Sequence, residues 1–413
     1  MKYWRGYLIG GIIAAIAYGI NLLASKYTTL VDMFYPYVSR TVQNFLTQWS
    51  SDVSFCVWQV ALVVLLVLVM VSIVLMILLR WNPIQWFGWV AAVVAVIYFA
   101  NTCLFGLNQH AGPLADDIRL DVTEYTLQEL EDATVYYRDL ANEYALQVSR
   151  DGNGIALFPS FEELSVTAGD GFKSLTYDRS YSVFAGNRAP VKKLGWADLY
   201  SSSGTTGMTV GLTGESAVNP DIPDIGLPYA MCHEMAHRMC IASDRDADFS
   251  AFLACTSNSS KDFQYSGYFM AYRYCYNALI SQGSVEASNA AARILTGMND
   301  HLRKDLKEYN SFFEDHKDED ATDRANSWND TYLKLSAAES GAESYGEVAD
   351  LLVSWHIQEV VIPAQQENAE SVFDPYDESQ VDLTDIVGAM KNQENTEPEE
   401  ASAEEASLEE TEE

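Results

Sequence analysis

The chain has 413 residues, 48% of them hydrophobic and 12% aromatic, which allows a buried core and two or three domains. Its formal net charge is −33, from 58 Asp and Glu against 25 Lys and Arg. That balance argues strongly against nucleic acid as a partner, because phosphate binding needs clustered basic side chains, and it disfavours docking on an anionic lipid surface.

Three segments have the length and composition of membrane spans. Residues 6–25, between Arg5 and Lys26, carry no charge. Residues 53–79, between Asp52 and Arg80, carry none either, and a third uncharged run covers 84–107. A helix needs roughly 20 apolar residues to cross the hydrocarbon core, and only helices satisfy their backbone there. The first segment is long for a cleaved signal peptide, and no A-x-A site follows it. Lys2, Arg5 and Arg80 mark the inner side, which places the domain after residue 108 outside the cell membrane, although Lys26 and Arg40 fall in the opposing loop.

Beyond the spans, "TEYTLQELEDATVYYRDLANEYALQV" predicts a helix capped by Thr123 or Thr126. Residues 151–225 are rich in Gly, Ser, Asp and Pro, with β-prone pieces at "SYSVFAG" and "MTVGL". Residues 227–280 read as helical with a break near Ser243, and 285–360 as several more helices. From residue 364 the chain holds 17 acidic residues against Lys391 alone, a composition that cannot offset its ordering entropy. The expectation is a mainly α protein: a membrane region over 1–108, a mostly helical α+β domain over 109–363, and a disordered acidic tail over 364–413. The six cysteines include no C-x-x-C pair, so no zinc knuckle or dithiol redox motif is expected.

The chemistry centres on "MCHEMAHRMCIASDRDADFSAFLAC". On a helix, His233 and His237 are one turn apart and project from one face, where two imidazoles can share one Zn²⁺. Glu234 lies about 100° around the helix, adjacent to such a metal, in the position of a general base. Flanking Met231, Met235, Ala236, Met239 and Ile241 imply a buried helix, and buried histidines without a partner are costly. A third ligand is needed. Asp244, opening the next helix, is the candidate; its other reading is a carboxylate that caps the free amides. Asp248 shares its helix face and suits a partner that holds a ligand histidine by its other ring nitrogen. Asp246 reads as solvated. Glu215, in "GLTGESAVNPDIPDIGL", is a possible substrate-edge residue or simply a surface turn. His110, His301, His316 and His356 have no spacing that favours ligation.

Taken with "FYPYVSR", "FGLNQHAGPLADDI", "YTLQELED", "NDTYLK" and "SYGEVADLL", these motifs occur in an order that resembles the bacterial membrane family of domain of unknown function 3810. The resemblance covers roughly residues 5–360. It implies a zincin-like domain of the gluzincin type, with His233 and His237 as ligands, Glu234 as general base and an acidic ligand opening the next helix. Where related motifs read E-x-x-A-N or E-x-x-A-D, this chain has Asp244-Arg-Asp-Ala247-Asp248. Where they commonly place a glycine soon after the second histidine, it has Met239 and Cys240. The resulting expectation is a multi-pass zinc metallopeptidase acting on a peptide or protein substrate. The alternative is a zinc-bound, non-hydrolytic envelope sensor or scaffold, which would have its open metal position filled or occluded.

Overall fold

Uncharged runs become helices here because nothing else satisfies their backbone. The computed structural model describes residues 2–336 and 345–366. It begins with α1 (Arg5–Lys26), α2 (Thr28–Ser50), α3 (Val57–Leu78) and α4 (Pro83–Leu104). Of these, α1, α3 and α4 are long and apolar enough to cross a membrane. α1 and α4 run parallel in close contact. A Cβ on Gly6 would fall 2.4 Å from the Gly88 carbonyl carbon, and one on Gly10 would fall 3.0 Å from Ala92 Cα. Small residues four apart allow this approach, which replaces the hydrophobic drive that lipid cannot supply. Further along the pair, the buried Asn21 amide donates to Tyr98 Oη at 3.2 Å and Thr102 Oγ1 at 3.3 Å. α3 runs the opposite way, exposed throughout its apolar window, and its Ser72 Oγ accepts from Trp86 Nε1 of α4 at 3.1 Å.

α2 departs from the loop expected between the first two spans. Its polarity is inverted: Ser39, Gln43, Thr47 and Ser50 are buried, while Phe34, Tyr37, Val38, Phe45 and Trp49 are exposed.

The remaining chain is helical with one small sheet. After α5 (Leu114–Ile118), α6 (Leu127–Ala145) starts from Thr126, whose hydroxyl accepts from Glu129 N while Glu129 accepts from Thr126 N. Each side chain satisfies an amide that the helix start leaves free. Ser160 and Glu163 repeat this device to open α7 (Phe161–Leu175), a helix not expected within the Gly-, Ser-, Asp- and Pro-rich stretch. "SYSVFAG" is not a strand. Asp178 accepts from Ser180 N and starts 3-10 turns over Arg179–Phe184. Then follow β1 (Lys192–Lys193), α8 (Ala197–Ser202), β2 (Gly207–Val210) and β3 (Glu215–Val218). β3 is central, parallel to β1 and antiparallel to β2, with Thr209 opposite Ser216 and Val210 opposite Glu215.

The C-terminal helices are α9 (Leu227–Arg238), α10 (Asp244–Thr256), α11 (Lys261–Ser281), α12 (Val285–Thr296), α13 (Asp300–His316), α14 (Glu319–Leu335) and α15 (Tyr345–His356). Tyr137, Phe172, Phe249, Phe252 and Phe269 are fully buried in the core that α6, α7, α10 and α11 build around α9. The chain divides into Met1–Glu359 and Val360–Glu413, so the spans and residues 109–359 belong to one unit. The acidic tail expected from residue 364 lies, beyond residue 366, outside the described residues.

Replacing Gly6 by Leu forces side-chain atoms into the Gly88 backbone, and overpacking of this kind typically costs about 1–3 kcal/mol. The expected outcome is a lowered unfolding temperature in detergent for Gly6→Leu. Gly11→Leu, where a Cβ meets nothing within 4 Å, should leave it unchanged.

Candidate metal centre

α9 carries the H-E-M-A-H residues through the middle of the core. Pro228 sits in its first turn, where a missing amide hydrogen does no harm. Met231, Cys232, Met235 and Ala236 are fully buried, so the helix is packed on nearly every side. It ends with Cys240 at φ 74°, a left-handed conformation. Cys240 N donates to His237 O at 2.9 Å and Ile241 N to Ala236 O at 3.2 Å, the paired bonds of a Schellman motif. Cys240 therefore occupies the position where glycine is usual. The chain reverses in five residues, and Ser243 caps α10 by accepting from Asp246 N at 3.3 Å.

This reversal places Asp244 over the imidazoles. His233 Nε2 and His237 Nε2 are 3.0 Å apart. Asp244 Oδ1 lies 3.2 Å from His237 Nε2 and 3.9 Å from His233 Nε2. The other ring nitrogens are engaged: His237 Nδ1 with Ile241 O at 2.8 Å, and His233 Nδ1 with Asp248 Oδ1 at 2.8 Å. A carbonyl only accepts, so His237 Nδ1 bears the hydrogen and its Nε2 lone pair faces the centre. Asp248 is itself held, with Tyr274 Oη donating to Oδ2 at 2.7 Å and Tyr229 Oη to its backbone O at 2.6 Å.

Glu234 is buried beside this triangle. Thr209 Oγ1 of β2 donates to its Oε2 at 2.7 Å, and Ser216 Oγ of β3 donates to its backbone O at 2.7 Å. A Cβ on Gly207 would fall 2.5 Å from Glu234 Oε1, so β2 can pass this carboxylate only as glycine. Burial raises the Glu234 pKa against the pull of both imidazoles and the Thr209 hydrogen bond. Burial alone would lower His233, but the charge and hydrogen bond of Asp248, with Glu234 and Asp244, raise it to about 10. Burial opposes the shift of Asp244 as well, yet the hydrogen bond and charge of His237 hold its carboxyl down at about 2. Together these carboxylates favour positive charge on the two rings. His233, His237 and Asp244 offer three ligand atoms within 4.8 Å of one another.

The whole arrangement opens into a cavity of about 2120 Å³. The family model described as "Protein of unknown function (DUF3810)" matches residues 31–353. The chain belongs to that family. No curated protein and no solved structure shows a significant match. The DUF3810 match begins in α2 and ends in α15, so it treats α2, two apolar spans and the candidate centre as one unit.

Two acidic residues of this DUF3810 chain lie where the spacing did not place them. Glu215 is not at a substrate edge: it is 2% exposed, on the central strand. Its carboxylate accepts from Val57 N at 2.8 Å and Trp58 N at 2.9 Å, the first amides of α3, and from Lys192 Nζ at 2.6 Å. An anion at a helix N-terminus satisfies free amides and complements the dipole. Of the two edge strands, β1 and β2, it is β2 that lines the cavity. Asp246 is not solvated either; it is buried and accepts from Leu114 N and Arg245 Nε, both at 3.0 Å. Thr209, Gly207 and Tyr274 escaped the sequence reading because only the fold brings them to α9 and α10.

Removing Glu215 leaves Lys192 buried without its counter-ion and frees the start of α3, and breaking such a pair typically costs about 3–5 kcal/mol. Glu215→Ala should therefore unfold well below wild type on heating, which loss of a surface substrate contact would not produce. Cys240→Val, a β-branched residue forced to φ 74°, should also be destabilised, by about 1–3 kcal/mol, on the same thermal scale.

Proposed function

We propose that this protein is a membrane-anchored, zinc-dependent metallopeptidase of the zincin type. The observation that carries the reading is the convergence of two imidazole Nε2 atoms and one carboxylate oxygen at 3.0, 3.2 and 3.9 Å. Those separations bracket the edge of about 3.4 Å that a tetrahedral site with bonds of roughly 2.1 Å requires. Two lone pairs facing each other at such a distance repel unless a proton or a metal ion lies between them. The donor set, two histidines and a carboxylate, is one that zinc accepts in catalytic sites with a position left over.

A zinc ion there supplies Lewis-acid polarisation of a carbonyl and acidification of a water. The rest is done by the chain. Glu234 takes a proton from the attacking water and returns it to the leaving amine, with Thr209 orienting its carboxylate. Asp248 and the Ile241 carbonyl fix the two rings by their Nδ1 atoms. The unpaired edge of β2, passing directly over Glu234, offers backbone groups to an extended polypeptide. The cavity exceeds the roughly 300–1,000 Å³ of small-molecule sites, which suits a polypeptide substrate. Against the non-hydrolytic alternative stands Glu234, a carboxylate that a scaffold would not need and that lines the same cavity as both histidines.

Purified full-length protein should contain one zinc per chain, and His233→Ala should lose it. Asp248→Ala should bind zinc about 10–100-fold more weakly. Glu234→Gln should retain the metal yet lose hydrolysis of a labelled unfolded protein by about 10²–10⁴-fold. Undiminished turnover by that variant would remove the mechanism; absence of stoichiometric zinc from folded wild type would remove the reading.

A further inference from the structure

The centre stands on the ends of the apolar helices. Ser25 and Thr28, where α1 passes into α2, line the same cavity as His233 and Glu234, as do Asn101 and Phe105 at the end of α4. A single side chain of α2 bridges the two. Ser39 of α2 donates to Leu104 O, the last residue of α4, at 3.1 Å, and its Oγ lies 3.4 Å from Cys240 Sγ, three residues beyond His237. Arg40 Nε donates to Met239 O at 3.3 Å. Those two contacts, with one helical turn of about 5.4 Å from Cys240 back to His237, put His237 within about 10–12 Å of the end of a span. α14 is rooted on the same ends: Tyr98 Oη donates to Leu335 O, and Asn101 Nδ2 donates to Tyr332 Oη at 3.2 Å.

α2 carries its apolar side outward. Leu30, Phe34, Tyr37, Val38, Phe45 and Trp49 are each more than half exposed, and at about 100° per residue they form one stripe. The opposite face is polar and bonded into the protein, with Gln43 Nε2 donating to Gly211 O at 2.9 Å and Thr47 Oγ1 to Gly214 O at 2.7 Å. A helix facing water is arranged the other way round. The stripe is continuous with α1 through Tyr27 and leads into α3, so both its ends are tied to segments suited to lipid. Its occupant is therefore the acyl boundary of the bilayer, where amphipathic helices lie flat.

We propose that α2 lies in the bilayer interface with this stripe in lipid, so that the centre receives polypeptides anchored in the same bilayer, close to where they emerge. Cleavage of such a segment rests on the metallopeptidase reading; the placement of the site does not. A height of about 10–12 Å corresponds to about four extended residues between the end of an anchor and the segment in the centre.

The test uses full-length, zinc-loaded Glu234→Gln protein in phosphatidylcholine vesicles, which binds without turning over. One reporter peptide with a photoreactive group is supplied in three forms: soluble, or joined to a hydrophobic anchor helix in the same vesicles by a spacer of about four or about 25 residues. The short-spacer form should cross-link at least about tenfold more than either other form, at residues lining the cavity, following the reach of an extended chain. In parallel, brominated acyl chains should quench the fluorescence that Trp49→Phe removes. Equal capture of the three forms, capture of none, or an unquenched Trp49 overturns the inference and leaves the metallopeptidase reading to its own assays. Strong short-spacer capture with no cleavage by zinc-loaded wild type upholds the placement and rejects the peptidase.

Discussion

The five-residue reversal from Met239 to Ser243 is the constraint on which the rest of the structure depends. It holds Asp244 against His237, supplies the Ile241 carbonyl that orients the His237 ring, and presents Met239 and Cys240 to α2. A non-glycine residue in the left-handed region costs about 1–2 kcal/mol. Here that is offset by burial of the Cys240 side chain against Ser39 and by the two paired backbone bonds. That a side chain as short as that of Asp244 meets His237 follows from the same turn. A tight reversal brings the start of α10 near α9, so a shorter side chain reaches.

α2 connects this turn to the spans, and its inverted polarity is what makes the connection possible. Serine, glutamine and threonine face inward because the surfaces they meet are backbone carbonyls: Leu104 O, Gly211 O and Gly214 O. Buried carbonyls need donors, and short polar side chains supply them without thickness. On the far side, Glu215 of β3 and Lys192 of β1 do the corresponding work at the start of α3, and β3 also bonds to the backbone of Glu234 through Ser216. The membrane helices and the centre are consequently one unit, Met1–Glu359.

The reasons for legibility differ from residue to residue. Thr126 with Glu129 is a start signal complete within four residues, and so is Ser160 with Glu163, although the glycines at 169 and 171 disguised the helix that follows. α2 was hidden by Pro36 within it, which ordinarily ends a helix, and by an apolar face that looks outward. In the sequence Glu215 reads as a substrate-edge or surface-turn residue and Asp246 as solvated, because each has partners far along the chain, at Val57 and Lys192 and at Leu114. Nothing local announces such partners.

What the sequence by itself determined is whatever is set by neighbours within a turn or two of chain: three uncharged runs long enough to span lipid, and two imidazoles with a glutamate on one helical face. These follow from the helical repeat and from the need of every backbone group for a partner, both local. Tertiary structure alone decided that Asp244 closes the triangle, that Tyr274 steadies Asp248, that β2 is the edge strand lining the cavity, and that α2 stands between centre and span. Those relations join residues from 7 to 201 positions apart, across a chain reversal or between distant elements, and only packing brings such residues within hydrogen-bond reach.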